Sequence, residues 1–147
     1  MIESEQLEQD KNFDIFVSHS SYDRSDVIDF SKLLNDTGLH TYVDWISDLH
    51  FLKRDFLGRH TVDVLLNRLR QSKILIYYHT QSSESSYWIP WEIGYFMGMK
   101  KNIFIYNPHQ LPLPQYLVGF QTLVLTNGVI FIKDSNNKLD SDYLATI

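Results

Sequence analysis

The sequence predicts an α/β domain with a five-stranded parallel sheet in the flavodoxin-like order 2-1-3-4-5, helices on both faces, and room for an extra C-terminal edge strand. Three observations carry this reading. Strand-like and helix-like runs alternate along the chain. The run Ile74-Leu-Ile-Tyr-Tyr78 is apolar throughout, as expected of a central parallel strand covered on both faces. A length of 147 residues limits such a sheet to about five strands in a single domain.

Each element follows from its residues. Phe13-Asp-Ile-Phe-Val17 mixes β-branched and aromatic side chains and stops at the polar run Ser18-His-Ser-Ser21, a strand followed by a loop. Val27, Phe30, Leu33 and Leu34 recur at helical spacing, with Ser21 or Asp23 as the expected cap and Thr37-Gly38 as the stop. His40 to Val43 reads as a short second strand. The stretch from Asp44 to Arg59 has no clean period, and Val62, Leu65, Leu66 and Leu69 restore a helix. After the third strand, the serine-rich loop from Gln81 to Ser86 leads into a helix from Tyr87 to Lys101. Asn102 to Tyr106 and Gln121 to Leu125 are the fourth and fifth strands. Asn127-Gly128 is hairpin-turn chemistry before an edge strand at Val129 to Ile132. Residues 1–11 are expected to form a mobile tail, and 12–147 one domain.

Composition excludes several function classes. There is no cysteine, hence no disulfide framework, thiolate nucleophile or cysteine-type zinc site, and a reducing compartment suits the chain. The acidic, polar start from Met1 to Lys11 lacks the basic flank and apolar stretch of a secretion signal. No apolar run approaches the ~18 residues of a membrane span. A cytoplasmic location is therefore expected, with no membrane partner. A net charge of −5, with scattered Lys and Arg, argues against a nucleic-acid partner. The six histidines form no His-Glu-x-x-His pattern and there is no phosphate-loop run, so neither a metal nor a resident cofactor is expected.

In a sheet of this order, ligands bind beyond the carboxyl ends of the strands, at the switch point between the first and third. The loops from Ser18 to Asp23 and from His79 to Trp88 should line that crevice. Directly after them, Trp88 and Glu92 are four residues apart, on one helical face, and Pro90 keeps both near the helix start. From periodicity alone, the favoured reading is that Trp88 and Trp91 are core aromatics and that Glu92 suits the helix N-terminus. Ser18, His19 and Ser20 could bind a polar ligand or be ordinary loop residues. His79 is placed to reach the crevice, or is structural. Gly94-x-x-x-Gly98 is expected to permit close packing on the sheet.

Three blocks together, Asp14-Ile-Phe-Val-Ser-His-Ser-Ser21, Tyr42-Val-Asp-Trp45 and Trp88-Ile-Pro-Trp-Glu-Ile-Gly-Tyr-Phe96, resemble Toll/interleukin-1 receptor (TIR) domains, especially stand-alone bacterial ones, those of the Thoeris type included. The resemblance runs from about Phe13 to about Leu125. It implies a TIR fold, and it matches Glu92 and Trp88 to the catalytic glutamate and tryptophan of NAD-cleaving members. It further implies that Asp44 and Trp45 open a loop used in self-association and gating. Here that loop departs from the glycine-bearing loop of many TIR domains, since Gly58 is its only glycine.

The implied activity is cleavage of the nicotinamide–ribose bond of NAD, giving nicotinamide and a linear, cyclic or conjugated ADP-ribose. The implied setting is antiphage defence, with NAD a substrate rather than a cofactor. The departing nicotinamide is already cationic in NAD and leaves neutral, so no general acid is required. One carboxylate that steadies the ribosyl cation is sufficient. Trp88 or Trp45 could stack on a ring of the substrate. A single domain suits a signal maker that self-associates and whose product is read by a separate effector. A non-catalytic TIR adaptor is the alternative, and a nucleoside deoxyribosyltransferase-like enzyme a more distant one.

Overall fold

The computed structural model describes residues 12–43 and 59–147. In chain order the described elements are β1 (Phe13–Ser18), α1 (Arg24–Asp36), β2 (Thr41–Val43), α2 (Arg59–Arg70), β3 (Ser72–Tyr78), α3 (Trp88–Gly98), β4 (Asn102–Tyr106), β5 (Gln121–Thr126), β6 (Val129–Ile132) and the one-turn α4 (Ser141–Leu144). The sheet order is β2-β1-β3-β4-β5-β6. Every pair through β5 is parallel, and β6 adds antiparallel to β5. The expected order and the extra edge strand are both present. Asn127 and Gly128 take φ of 52° and 77°, the two successive positive values that a tight hairpin turn needs.

Alternation along the strands sorts the core into two layers. Ile15 and Val17 of β1 and Ile74, Ile76 and Tyr78 of β3 face α1, whose Val27, Phe30 and Leu34 pack on them. Phe30 stacks on Tyr106 with ring centroids 4.5 Å apart. Phe16, Leu75 and Tyr77 face the other way, against Leu65 and Leu69 of α2 and Ile89, Ile93 and Phe96 of α3. Each such buried side chain contributes about 1.5–3 kcal/mol over its exposed state. The same alternation places Ser18, two residues beyond Phe16, on the α3 side of the sheet.

Several local expectations are corrected. Neither Ser21 nor Asp23 caps α1 with its side chain. Ser20 Oγ instead accepts from the Tyr22 amide at the head of a 3-10 turn over Ser21–Asp23, and Asp23 occupies the cap position of α1 with its carboxylate turned elsewhere. Residues 82–85 form a 3-10 turn within the expected loop. Gly94 and Gly98 lie on the exposed side of α3, and a Cβ added to either meets nothing within 4 Å, so they do not serve packing on the sheet. Trp91 is partly exposed rather than core. The terminal segment, unassigned from sequence, buries Leu139 and Leu144 against the α1 layer. Among the described residues no helix is long and apolar enough to cross a membrane.

Candidate active site

Apart from Arg68 and Ser72, every buried polar or charged residue described lies at the carboxyl ends of β1 and β3 or on the helix beside them: Ser18, His19, Ser20, His79, Thr80, Ser83 and Glu92. Burying so many polar groups in one place is costly unless they find partners, and here several of them bond to one another in two sets.

The first set joins β1 to α3. The buried stripe of α3 is Ile89, Glu92, Ile93 and Phe96, the spacing of a helix face pressed on a sheet, with a carboxylate in a position that packing alone would fill with an aliphatic side chain. Glu92 is fully buried, and Ser18 Oγ, equally buried, donates to its Oε1 at 2.5 Å across 74 residues of sequence. A bond this short is typical of a hydroxyl donating to a charged acceptor. The helix also starts only one turn before Glu92, so its partly positive end favours the carboxylate.

The second set joins the loop after β1 to the loop after β3. Thr80 Oγ1 donates to Asp23 Oδ2 at 2.5 Å. Thr80 and Ser83 close a small turn on each other: the Thr80 amide donates to Ser83 Oγ, and the Ser83 amide donates to Thr80 Oγ1. Ser83 Oγ also lies 2.6 Å from the Tyr77 hydroxyl. That hydroxyl is 2.8 Å from His79 Nδ1, and His79 Nε2 is 3.0 Å from the Pro112 carbonyl. Because the carbonyl can only accept, Nε2 carries a proton. Burial pushes the Tyr77 phenol up to about 12, against the lowering effect of Ser83, so at neutral pH it stays a donor.

Of the residues singled out from sequence, Ser18 and Glu92 are brought into contact. His19 is buried, its Nδ1 3.4 Å from the Val17 carbonyl, and Ser20 serves the turn described above. His79 has both ring nitrogens engaged within the protein, which favours its structural reading. Trp88 is half-buried against the α2–α3 layer, edge-on to Trp91 at 5.3 Å. Asp44 and Trp45 lie outside the described residues. Sequence reading missed Thr80, Ser83 and the use of Asp23. The Thr80-x-x-Ser83 spacing was the available signal, since short hydroxyl residues three apart build self-bonded turns.

The fold places the molecule among TIR domains. It is similar to the TIR domain of the Toll-related receptor TRR-2 from Hydra magnipapillata, with a TM-score of 0.58 at 15% identity over 76% of this chain and 84% of that one. Residues 16–112 match the family model described as "Thoeris protein ThsB, TIR-like domain", and the chain belongs to that family. Two relatives are similar in sequence. One, "Putative cyclic ADP-D-ribose synthase TIR2" of Cytobacillus dafuensis, is 32% identical over 88% of this chain and 35% of its own length. The other, "Probable 3' cyclic ADP-D-ribose synthase ThsB'" of Bacillus cereus (strain MSX-D12), is 35% identical over 67% of this chain and 50% of its own length. The chain thus matches half or less of the length of these curated relatives.

Proposed function

We propose that this domain cleaves NAD between nicotinamide and ribose, with Glu92 as the catalytic carboxylate, and releases a cyclic ADP-ribose. The observation that carries the proposal is a glutamate set into the sheet-facing stripe of α3 and held by a hydroxyl from the end of β1, at the switch point where such sheets take their ligands. Packing gives no reason for a carboxylate there, whereas stabilising positive charge on a sugar does.

In the reaction, the bond between the ribose carbon and the pyridinium nitrogen breaks, and its electron pair neutralises the nicotinamide. Positive charge then develops on the ribose, and Glu92 steadies it. In the cyclic product a nucleophile on the same molecule captures that carbon and gives up a proton; in hydrolysis water does so. The names of the relatives support the cyclic outcome. Membership in the Thoeris family supports a role in antiphage defence, with the product as a signal to a separate effector. Glu92 is fully covered in this form of the protein, so NAD reaches it only after a local opening, for which self-association is a suitable trigger. Turnover is then expected to rise more steeply than linearly with protein concentration.

Mass spectrometry of NAD incubated with concentrated protein tests the reading. The expected result is nicotinamide and a cyclic ADP-ribose, both absent with Glu92→Ala. Unchanged turnover in that variant rejects the assignment of Glu92. An inert wild-type protein at every concentration favours the adaptor reading.

A further inference from the structure

Asp23 sits where a helix-capping aspartate belongs, yet its side chain makes no cap bond and instead spans the crevice to Thr80, 57 residues away in sequence. We propose that Asp23 and Thr80 form a positioning clamp that, through the turn at Thr80–Ser83, sets the start of α3 and so the place of Glu92 against Ser18. This rests on the reading of Glu92 given above.

The geometry is a closed ring with two crossings. The chain leaves β1 at Ser18 and runs to Asp23; the Asp23–Thr80 bond crosses to the other wall. From Thr80 the chain runs through the Ser83 turn and Ser86, whose Oγ accepts from the Ile89 amide in the first turn of α3. One turn on, Glu92 crosses back to Ser18. Ser83 is anchored from below by Tyr77, which is itself fixed to His79. A helix whose approach is tied at Thr80, Ser83 and Ser86 has little freedom to slide or rotate. Cutting the first crossing removes the tie between the loop after β1 and the approach to α3, and loosens the start of the helix. Neither Asp23 nor Thr80 bonds to Glu92, so they act on it only by position.

Thr80→Val keeps the shape and removes both the donor to Asp23 and the acceptor of the Ser83 amide, Thr80→Ser restores both, and Asp23→Ala removes the crossing alone. Misplacing a reacting group by about 1 Å costs on the order of 100-fold in rate. Thr80→Val is therefore expected to lower kcat for NAD by about 10- to 100-fold with KM little changed, Thr80→Ser to recover most of it, and Asp23→Ala combined with Thr80→Val to be no worse than Thr80→Val alone. Amide hydrogen exchange supplies a readout independent of activity: in Asp23→Ala as in Thr80→Val, amides of 86–92 should exchange faster while those of β1 and β3 hold. Unchanged exchange there overturns the clamp, whether or not the wild type cleaves NAD. A fall in kcat that comes with a raised KM and a lowered melting temperature, and that Thr80→Ser does not recover, also overturns it. An inert wild type, with the local rise in exchange still seen in the variants, rejects the NAD reading and keeps the clamp.

Discussion

Helices α1 and α3 pack on opposite faces of one sheet and are built on opposite principles. In α1, Val27, Phe30 and Leu34 form the buried stripe, and polar residues such as Lys32, Asn35 and Asp36 take the outside. In α3 the arrangement is inverted at its key points: a carboxylate is buried at Glu92, while Tyr87 just before the helix is 88% exposed and Met97 within it 48% exposed. A helix shaped only by folding resembles α1. The departures in α3 therefore mark what folding does not require, a carboxyl group buried at the carboxyl ends of the strands and an outer surface free of charged side chains from Tyr87 to Met99.

The comparison breaks if the two helices respond alike to substitution. Glu92→Gln keeps an oxygen for Ser18 and removes the charge. NAD turnover is expected to fall by about 100- to 1,000-fold or more, as when a charge-stabilising group is lost, while the thermal midpoint holds or rises because a buried amide is less costly than a buried carboxylate. Leu34→Ala in α1 should do the reverse. It is expected to lower stability by about 2–5 kcal/mol in a denaturant titration, with the specific activity of the folded fraction intact. A variant of Glu92 that unfolds the protein, or one of Leu34 that stops turnover in folded protein, removes the distinction.

That distinction also explains what could be read in advance. Elements that follow pattern were legible: the apolar run of β3, the 27-30-34 stripe of α1, the Asn127-Gly128 hairpin. Glu92 was singled out by its spacing from Trp88 and by resemblance, while its place in the sheet-facing stripe needed the partner strand. The Asp23–Thr80 bond was hidden for a physical reason. An aspartate before a helix has a local explanation as a cap, and a competing partner 57 residues on exists only once β1 and β3 lie side by side. The glycines of α3 misled in the same way, since small residues four apart fit close packing or an open surface equally well until the neighbours are known.

Two smaller effects sharpen the contrast within α3 itself. Ser18→Ala removes the short bond to Glu92 but leaves the carboxylate in its stripe. Losing a hydrogen bond to a charged group costs about 1.5–3 kcal/mol, so NAD turnover is expected to drop by a factor between roughly 10 and 150, less than for Glu92→Gln. An effect equal to that of Glu92→Gln would mean that Ser18 itself touches the substrate.

The outer side of α3 should respond least. Trp91 is 37% exposed, edge-on to Trp88 at 5.3 Å and stacked on Tyr95 at 6.1 Å. Trp91→Ala loses two aromatic contacts at a partly wet position, so stability is expected to fall by about 0.5–1.5 kcal/mol, with turnover of the dilute protein unchanged. If turnover instead falls as far as in Ser18→Ala while stability holds, the chemistry extends to both sides of α3, and the buried carboxylate is only the inner half of a site that wraps around the helix.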